Sequence, residues 1–319
     1  MEQQEIIKGT SLWQDAWKRL LRNKLAVFGM IVLGLMVVAV IIGPWIIHKT
    51  TGFTYDFIPP TGDLVKSFPP SLQHPMGTDE QGRDLLARVL QGGRISLAVG
   101  LISTIVSLLI GVSYGAIAGY SGGKLDNFMM RIVDIIYAIP YILIVIVLLK
   151  VLSGENTPEF IKWLSEKFGG ANNQGLSQIF LLFFALGLVS WLTMARVVRG
   201  QILSLKNQEF VLAARATGVS SFGIIFKHLV PNALGPVIVY ATLTIPSVML
   251  SEAFLSFLGI GVQPPFASWG SLAADGIKNI AIYPWQMIFP GVTMALTLFS
   301  LNFLGDGLRD ALDPQTRKF

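Results

Sequence analysis

At 319 residues, with 52% hydrophobic and only 13% charged side chains and a mean hydropathy of +0.61, the chain excludes a water-soluble domain of this length and requires a bilayer as its solvent. A net charge of +5 needs no nucleic acid partner, because Lys and Arg collect on the inner loops of membrane proteins. The lack of cysteine removes disulfides, thiolate metal sites and thiol nucleophiles together.

Other site chemistry is equally sparse. His48, His74 and His228 fall on different segments, without the spacing that sets two metal ligands on one helix face. The nearest echo of a phosphate-binding G-x-x-x-x-G-K-[ST] loop, Gly122-Gly123-Lys124, continues with Leu125 and lacks the hydroxyl that would hold magnesium. An intramembrane hydrolase would need a nucleophile and a base facing each other at membrane depth, and only His48, at an edge, comes near a span. The sequence therefore predicts no catalytic, cofactor or metal residues, and no ATP hydrolysis by this chain.

In chain order, residues 1–24 form a polar, basic segment in which Leu12, Trp13, Ala16, Trp17, Leu20 and Leu21 recur at helical spacing opposite Lys18, Arg19, Arg22 and Lys24. That pattern predicts an amphipathic helix in the inner headgroup plane, the alternative being a plain extension of the first span. No small-residue cleavage site follows a short apolar core, so the segment is expected to be retained. Six apolar runs are long enough to cross about 30 Å of hydrocarbon: Leu25–Ile47, Ile95–Tyr120, Phe128–Leu152, Leu176–Ala195, Leu234–Leu258 and Trp285–Leu304. With both termini inside, fifteen of the 24 Lys and Arg lie on inner segments, which favours cytoplasmic ends. The expected organisation is a first transmembrane helix over 25–48, an outer loop over 49–94, a five-helix core over 95–305 carrying an inner loop at 207–231, and a cytoplasmic tail over 306–319.

The outer loop holds Pro59-Pro60 and Pro69-Pro70, which argue for an extended spacer, and then Gly77-Thr78-Asp79-Glu80-Gln81-Gly82-Arg83-Asp84. From Arg83 to Leu90 the pattern turns helical, predicting a short outer-surface helix ahead of span two. Span two carries Ser103, Ser107, Gly111, Gly115 and Gly119 at an unbroken spacing of four. Such a stripe lets another helix approach closely; it either lines or gates a path against a partner or packs within the bundle. Ser247, Ser251 and Glu252 in span five are further candidates for the path. Glu252 has no flanking base and lies roughly six residues, about 9 Å, below the outer end. It is expected to touch the path or to bond outer-loop amides. Arg131 and Asp134, at i and i+3 near the inner end of span three, form the expected structural ion pair.

Between spans four and five stands a polar interruption that lipid cannot accommodate. Asn207 is the expected N-cap of a helix over Glu209–Thr217, Gly218 suits a left-handed C-terminal stop, Ser220 or Ser221 caps a second short helix, and Pro231 is expected to stop it.

Ala213, Ala214, Gly218 and Pro231 resemble the cytoplasmic EAA loop of binding-protein-dependent, MetI-like permeases of ATP-binding-cassette importers. Leu212 stands where that motif has an acid, with Glu209 three residues earlier, a shift found in the peptide branch. The resemblance extends through Gly77-Thr78-Asp79 to Asp84, Ala195-Arg196-Val197-Val198-Arg199-Gly200, Glu252 to Gly259, Pro264 to Gly270 and Gly305 to Pro314, and is nearest to the C-type permeases of oligopeptide and dipeptide importers. Two of these stretches also have plain structural readings, Pro264–Trp269 as a rigid loop with an interfacial Trp and the last as a polar cap on span six. The stretch Gly154–Gly175 has no part in it and stands as a lineage-specific outer loop.

The resemblance implies an all-α integral membrane protein with the type I importer permease fold, working as a heterodimer with a B-type permease, with two ATPase subunits that bind ATP and Mg, and with an extracytoplasmic peptide-binding protein received by loops 49–94 and 259–284. Glu209, Phe210, Ala213, Ala214, Arg215, Gly218 and Pro231 would couple to an ATPase. The path would run between the two permeases, and relatives also carry nickel, glutathione or oligosaccharides. An ion-coupled secondary transporter, the rival class, would need more intramembrane acids than the isolated Glu252.

Overall fold

The computed structural model describes residues 12–59, 67–169 and 174–312. In chain order its helices are α1 (Leu12–Arg22), α2 (Lys24–Thr51), α3 (Leu85–Ser121), α4 (Gly123–Tyr137), α5 (Tyr141–Val151), α6 (Glu159–Gly169), α7 (Gln174–Leu205), α8 (Glu209–Ala216), α9 (Ser221–Gly223), α10 (Val230–Phe257), α11 (Trp269–Lys278) and α12 (Trp285–Leu312). Residues 1–11, Pro60 with the rest of 60–66, 170–173 and the end of the predicted tail with Asp313-Pro314 lie outside the described residues.

Five helices are each long and apolar enough to cross a membrane, and α4 with α5 supplies a sixth crossing only as a pair bent by 85°. The expected unbroken third span is therefore corrected to a broken one. The cause is Pro140: its ring pushes Ile139 out of the helical region, and without an N–H it cannot bond back to Ile136.

Pro44 does not break α2, and the reason lies on another helix. A proline there releases the carbonyl of Val40, four residues back. Arg94 of α3 takes its place: Nε donates to the Val40 carbonyl at 2.6 Å and Nη2 to that of Ile41 at 2.6 Å. Span two itself begins earlier than predicted. Asp84 caps α3 through the Ala87 amide at 2.7 Å, so the expected outer-surface helix over 83–90 is instead the first turns of one continuous 37-residue helix.

The glycine and serine stripe of α3 faces α7. The Ser103 hydroxyl donates to the Phe183 carbonyl at 2.8 Å, a Cβ on Gly111 would sit 2.6 Å from Met194, and one on Gly115 would strike the Ala195 carbonyl. Gly187 of α7 answers in kind, with Val106 within 2.7 Å of where its Cβ would be. Ser103, Ser107, Gly111 and Gly115 are thus buried in a seam inside the chain, where small residues at this spacing serve backbone approach within the bundle.

Span five also differs at its start. Ser220 caps α9 by accepting from the Gly223 amide, but Pro231 does not end the helix. A π-helical segment, Ile224–Leu229, carries the chain straight into α10. Its wider hydrogen-bond spacing accommodates the proline, whose ring would otherwise clash with the carbonyl four residues back.

α1 is separate from α2: the Asn23 side chain accepts from the Leu25 and Ala26 amides and starts the new helix. Ala16 and Leu20 are buried with Ala26 and Ala311 of α12, while Trp17 and Leu21 stay exposed. α12 continues through Leu312, where a tail from 306 was expected. The stretch after α5 holds a 3-10 turn, Gly154–Asn156, and α6, whose Phe160 packs edge-on against Phe184 of α7.

Candidate functional site

The α7–α10 connection forms a rigid elbow at one end of the bundle. α8 is anchored by Val211 and Ala214, buried with Ile224, Ile225 and Leu229, and Arg215 lies over the Tyr120 ring with its guanidinium carbon 5.2 Å from the centroid. Gly218 holds φ at +79°, with its amide bonded to the Arg215 carbonyl at 3.0 Å and the Val219 amide to that of Ala214 at 3.1 Å. Gln208, not Asn207, occupies the N-cap position, and its side chain makes no capping bond. Outward, the elbow presents Glu209, Phe210, Leu212, Ala213 and Arg215. Phe210 and Leu212 are large apolar side chains exposed on α8 beside the charged Glu209 and Arg215, outside the candidate spans. A patch of this kind marks a contact surface.

A second feature lies where span three is broken. A cavity of about 530 Å³ opens between the α4–α5 break, α7 and α10. Its lining mixes aliphatic side chains with hydroxyls: Tyr137, Tyr141, Ser190, Thr193, Tyr240, Thr244, Ser247 and Ser251. The Tyr137 hydroxyl is 3.3 Å from that of Thr193. Ser190, Thr244 and Ser251 donate to carbonyls of their own helices at 2.8, 2.8 and 3.0 Å. Among the described residues, no Asp, Glu, Lys or Arg lines the cavity.

Residues 111–318 match the family model described as binding-protein-dependent transport system inner membrane component. The chain belongs to that family. Residues 11–60 of the permease match a second model, the N-terminal TM domain of oligopeptide transport permease C. It is 46% identical to the oligopeptide transport system permease protein OppC of Haemophilus influenzae, over 98% of this chain and 91% of that protein. To the Bacillus subtilis dipeptide transport system permease protein DppC it is 44% identical, over 97% and 87% of the two. Among solved structures, the inward-facing MetNI methionine ABC transporter aligns at a TM-score of 0.49 and 18% identity, over 70% of this chain and 96% of that one.

In the permease, Ser247 and Ser251 are the predicted path residues that do line the cavity; Glu252 does not. It is 1% exposed on another face of α10, and its Oε1 accepts from the hydroxyls of Ser256 and Ser268, each at 2.7 Å. Ser268 also caps α11 through the Ser271 amide at 3.0 Å. Glu252 therefore fastens the C-terminal end of α10 to α11 through the hydroxyls of Ser256 and Ser268. Trp269, expected at the membrane interface, is 1% exposed and donates from Nε1 to the Val89 carbonyl at 2.8 Å.

The ion pairs are also rearranged. Asp134 does not bond Arg131; it accepts from Arg196 Nη2 at 2.7 Å, and Arg196 lies over the Tyr137 ring at 4.3 Å. Asp126 accepts both Nε and Nη2 of Arg199 at 2.6 and 2.7 Å. On an isolated helix the i, i+3 acid and base are each other's nearest ions, whereas packing brings an arginine of α7 closer. At the opposite end, the Gly77–Asp84 stretch folds into a knot. Asp79 binds Arg83 and Arg88 at 2.7 Å each, His74 Nδ1 lies 2.8 Å from Asp84, and Trp285 and Gln286 of α12 donate to the Thr78 carbonyl at 3.2 and 3.0 Å.

The tyrosines and threonines of the cavity carry no signal in the sequence that marks them as site residues, and Arg196 is visible only as part of the Ala195–Gly200 stretch. Hydroxyls in apolar spans are visible as residues, but nothing in one span's pattern says which other span they face.

Proposed function

We propose that this permease is the C-type half of an importer that carries oligopeptides or dipeptides inward across the bacterial cytoplasmic membrane, with both termini in the cytoplasm. The peptide class rests on the named functions of relatives that align over nearly the whole chain. The observation that carries the mechanism is the elbow: α8, anchored by Val211 and Ala214, exposes Phe210 and Leu212 outside the candidate spans and is joined through a π-segment to α10. An ATPase groove receiving α8 would cover Phe210, Leu212 and Ala213, and closure of the ATPase pair would move α8 as one body with α7 and α10. Transport then needs no covalent chemistry in this chain; ATP and Mg belong to the ATPase partners.

The cavity lies on the faces of α7 and α10 reached by the broken span and is this chain's share of the path, with a B-type permease supplying the rest. Hydroxyls alternate as donors and acceptors and can follow peptide backbone groups of any sequence. Without fixed charge of one sign, the passage leaves selection to the extracytoplasmic binding protein, which would seat on the knot at Gly77–Asp84 and on α11.

The test is peptide uptake by the full complex in cells with ATP intact and the proton gradient collapsed. Uptake is expected to persist there and to disappear on ATP depletion; loss on gradient collapse alone would instead mark an ion-coupled transporter. Impermeant labelling of Ala213→Cys is expected only from the cytoplasmic side.

A further inference from the structure

We infer that Asp134, Tyr137 and Arg196 form the inner gate of the cavity, and that the gate opens by swinging α4 about the Asp126–Arg199 pair. This rests on the cavity being part of the transport path. Its end nearest the elbow is bounded by Tyr137, Thr193 and Tyr240. One turn further toward the elbow on α7, Arg196 reaches across to α4: Nη2 bonds Asp134 at 2.7 Å while the guanidinium covers the Tyr137 ring at 4.3 Å. The Tyr137 hydroxyl in turn meets Thr193 at 3.3 Å. The three side chains thus make a clasp from α4 to α7 along the inner edge of the cavity.

The clasp and the pivot differ in strength for a physical reason. Asp134 is 66% and Arg196 40% exposed, joined by a single bond, and solvated pairs of that kind break and re-form readily. Asp126 is 7% exposed and takes both Nε and Nη2 of Arg199; a sheltered two-pronged pair is far stronger. Both ties bind α4 to α7, about two helical turns apart on α4 and about one turn apart on α7. Between the ties α4 also packs Val133 into the core and accepts at the Met129 carbonyl from the Tyr114 hydroxyl at 2.8 Å, so its motion is a swing of the C-terminal turn that carries Asp134 and Tyr137. The helix starts at Gly122 and Gly123, whose φ values of +63° and +57° form a glycine corner after α3, and it ends at the break where Pro140 withholds a hydrogen bond. Releasing the weak outer tie while keeping the strong inner one moves Tyr137 off the cavity edge without detaching α4.

The chain has no cysteine, so Ser247→Cys gives one reporter thiol in the cavity. The complete complex, with its partner subunits made cysteine-free, is trapped with an ATP analogue and exposed from the cytoplasmic side to a membrane-impermeant maleimide. Arg196→Ala and Asp134→Ala are expected to raise the labelling rate by about fivefold, the loss of a solvated pair and of a cation–π contact together. Tyr137→Leu, which leaves both charges in place, is expected to give a smaller rise. Exchanging the charges, Asp134→Arg with Arg196→Asp, is expected to bring the rate back toward that of the parent. Parental rates in both single variants, with Ser247→Cys still labelled from the outer side, would overturn the gate and leave the path standing. A reversed pair labelled as fast as the single variants would also overturn it. No labelling from either side in any nucleotide state would remove the cavity from the path and the gate with it.

Discussion

The bond between Arg94 and the proline-containing first span makes a sharp quantitative prediction. Pro44 orphans the Val40 carbonyl, and Arg94 reaches it and the Ile41 carbonyl at 2.6 Å each. Hydrogen bonds from a charged donor are worth about 1.5–3 kcal/mol each when sheltered, but Arg94 is an exposed residue, so screening brings the pair down to about 1–2 kcal/mol in all. Arg94→Leu should therefore lower stability by about 1–2 kcal/mol in the parent. In a Pro44→Ala background the alanine amide can bond Val40 itself, and the same Arg94→Leu change should cost less than about 0.5 kcal/mol, leaving a coupling energy near 1 kcal/mol. Equilibrium unfolding of the four proteins in mixed micelles measures the cycle. Equal costs of Arg94→Leu in both backgrounds would refute the assignment of the arginine to the proline-released carbonyl.

Three further perturbations probe the elbow, the α3–α7 seam and the buried acid. Gly218→Val should uncouple ATP hydrolysis from transport while leaving membrane insertion intact, and Gly218→Asn should retain coupling. The position has φ of +79° and open space around the missing Cβ, so backbone conformation decides, and valine resists that region by roughly 1–2 kcal/mol where asparagine tolerates it; peptide-stimulated ATPase activity of the full complex checks both. Gly111→Leu should cost about 1–3 kcal/mol in detergent unfolding, because a Cβ there already meets Met194 at 2.6 Å. Glu252→Gln keeps an acceptor for Ser256 and Ser268 and should transport at the parental rate, whereas Glu252→Leu strands both hydroxyls and should lose about 1–3 kcal/mol of stability; a slowed Gln variant with unchanged stability would give the carboxylate a role in transport after all.

Much of the architecture is legible in the linear chain. Apolar run lengths, the polar interruption at 209–231 and the glycine that ends α8 are local properties, set by the cost of unpaired backbone in lipid and by the φ range open to glycine. The stripe at Ser103–Gly119 is equally visible as a contact surface, but its partner is not. A stripe says that something approaches closely; only the packed bundle shows that α7 does, with Ser103 and Gly111 in the seam between them.

Pairing between distant residues is what the linear chain could not resolve. Asp134 looked satisfied by Arg131 three residues away, yet Arg196, sixty-two positions on, is the partner that packing delivers. Glu252 looked like a lone acid in lipid until Ser268 was brought to it, and the three tyrosines of the cavity looked like ordinary span residues until the break at Pro140 gathered them with Ser247 and Ser251. Sequence determined that the chain crosses the bilayer, where it turns and which segment it displays, because those depend on short-range backbone energetics. The tertiary structure alone decided which polar side chains meet, because in a bundle of apolar helices hydrophobicity is nearly uniform around each span and rotational register is set by close packing against neighbours.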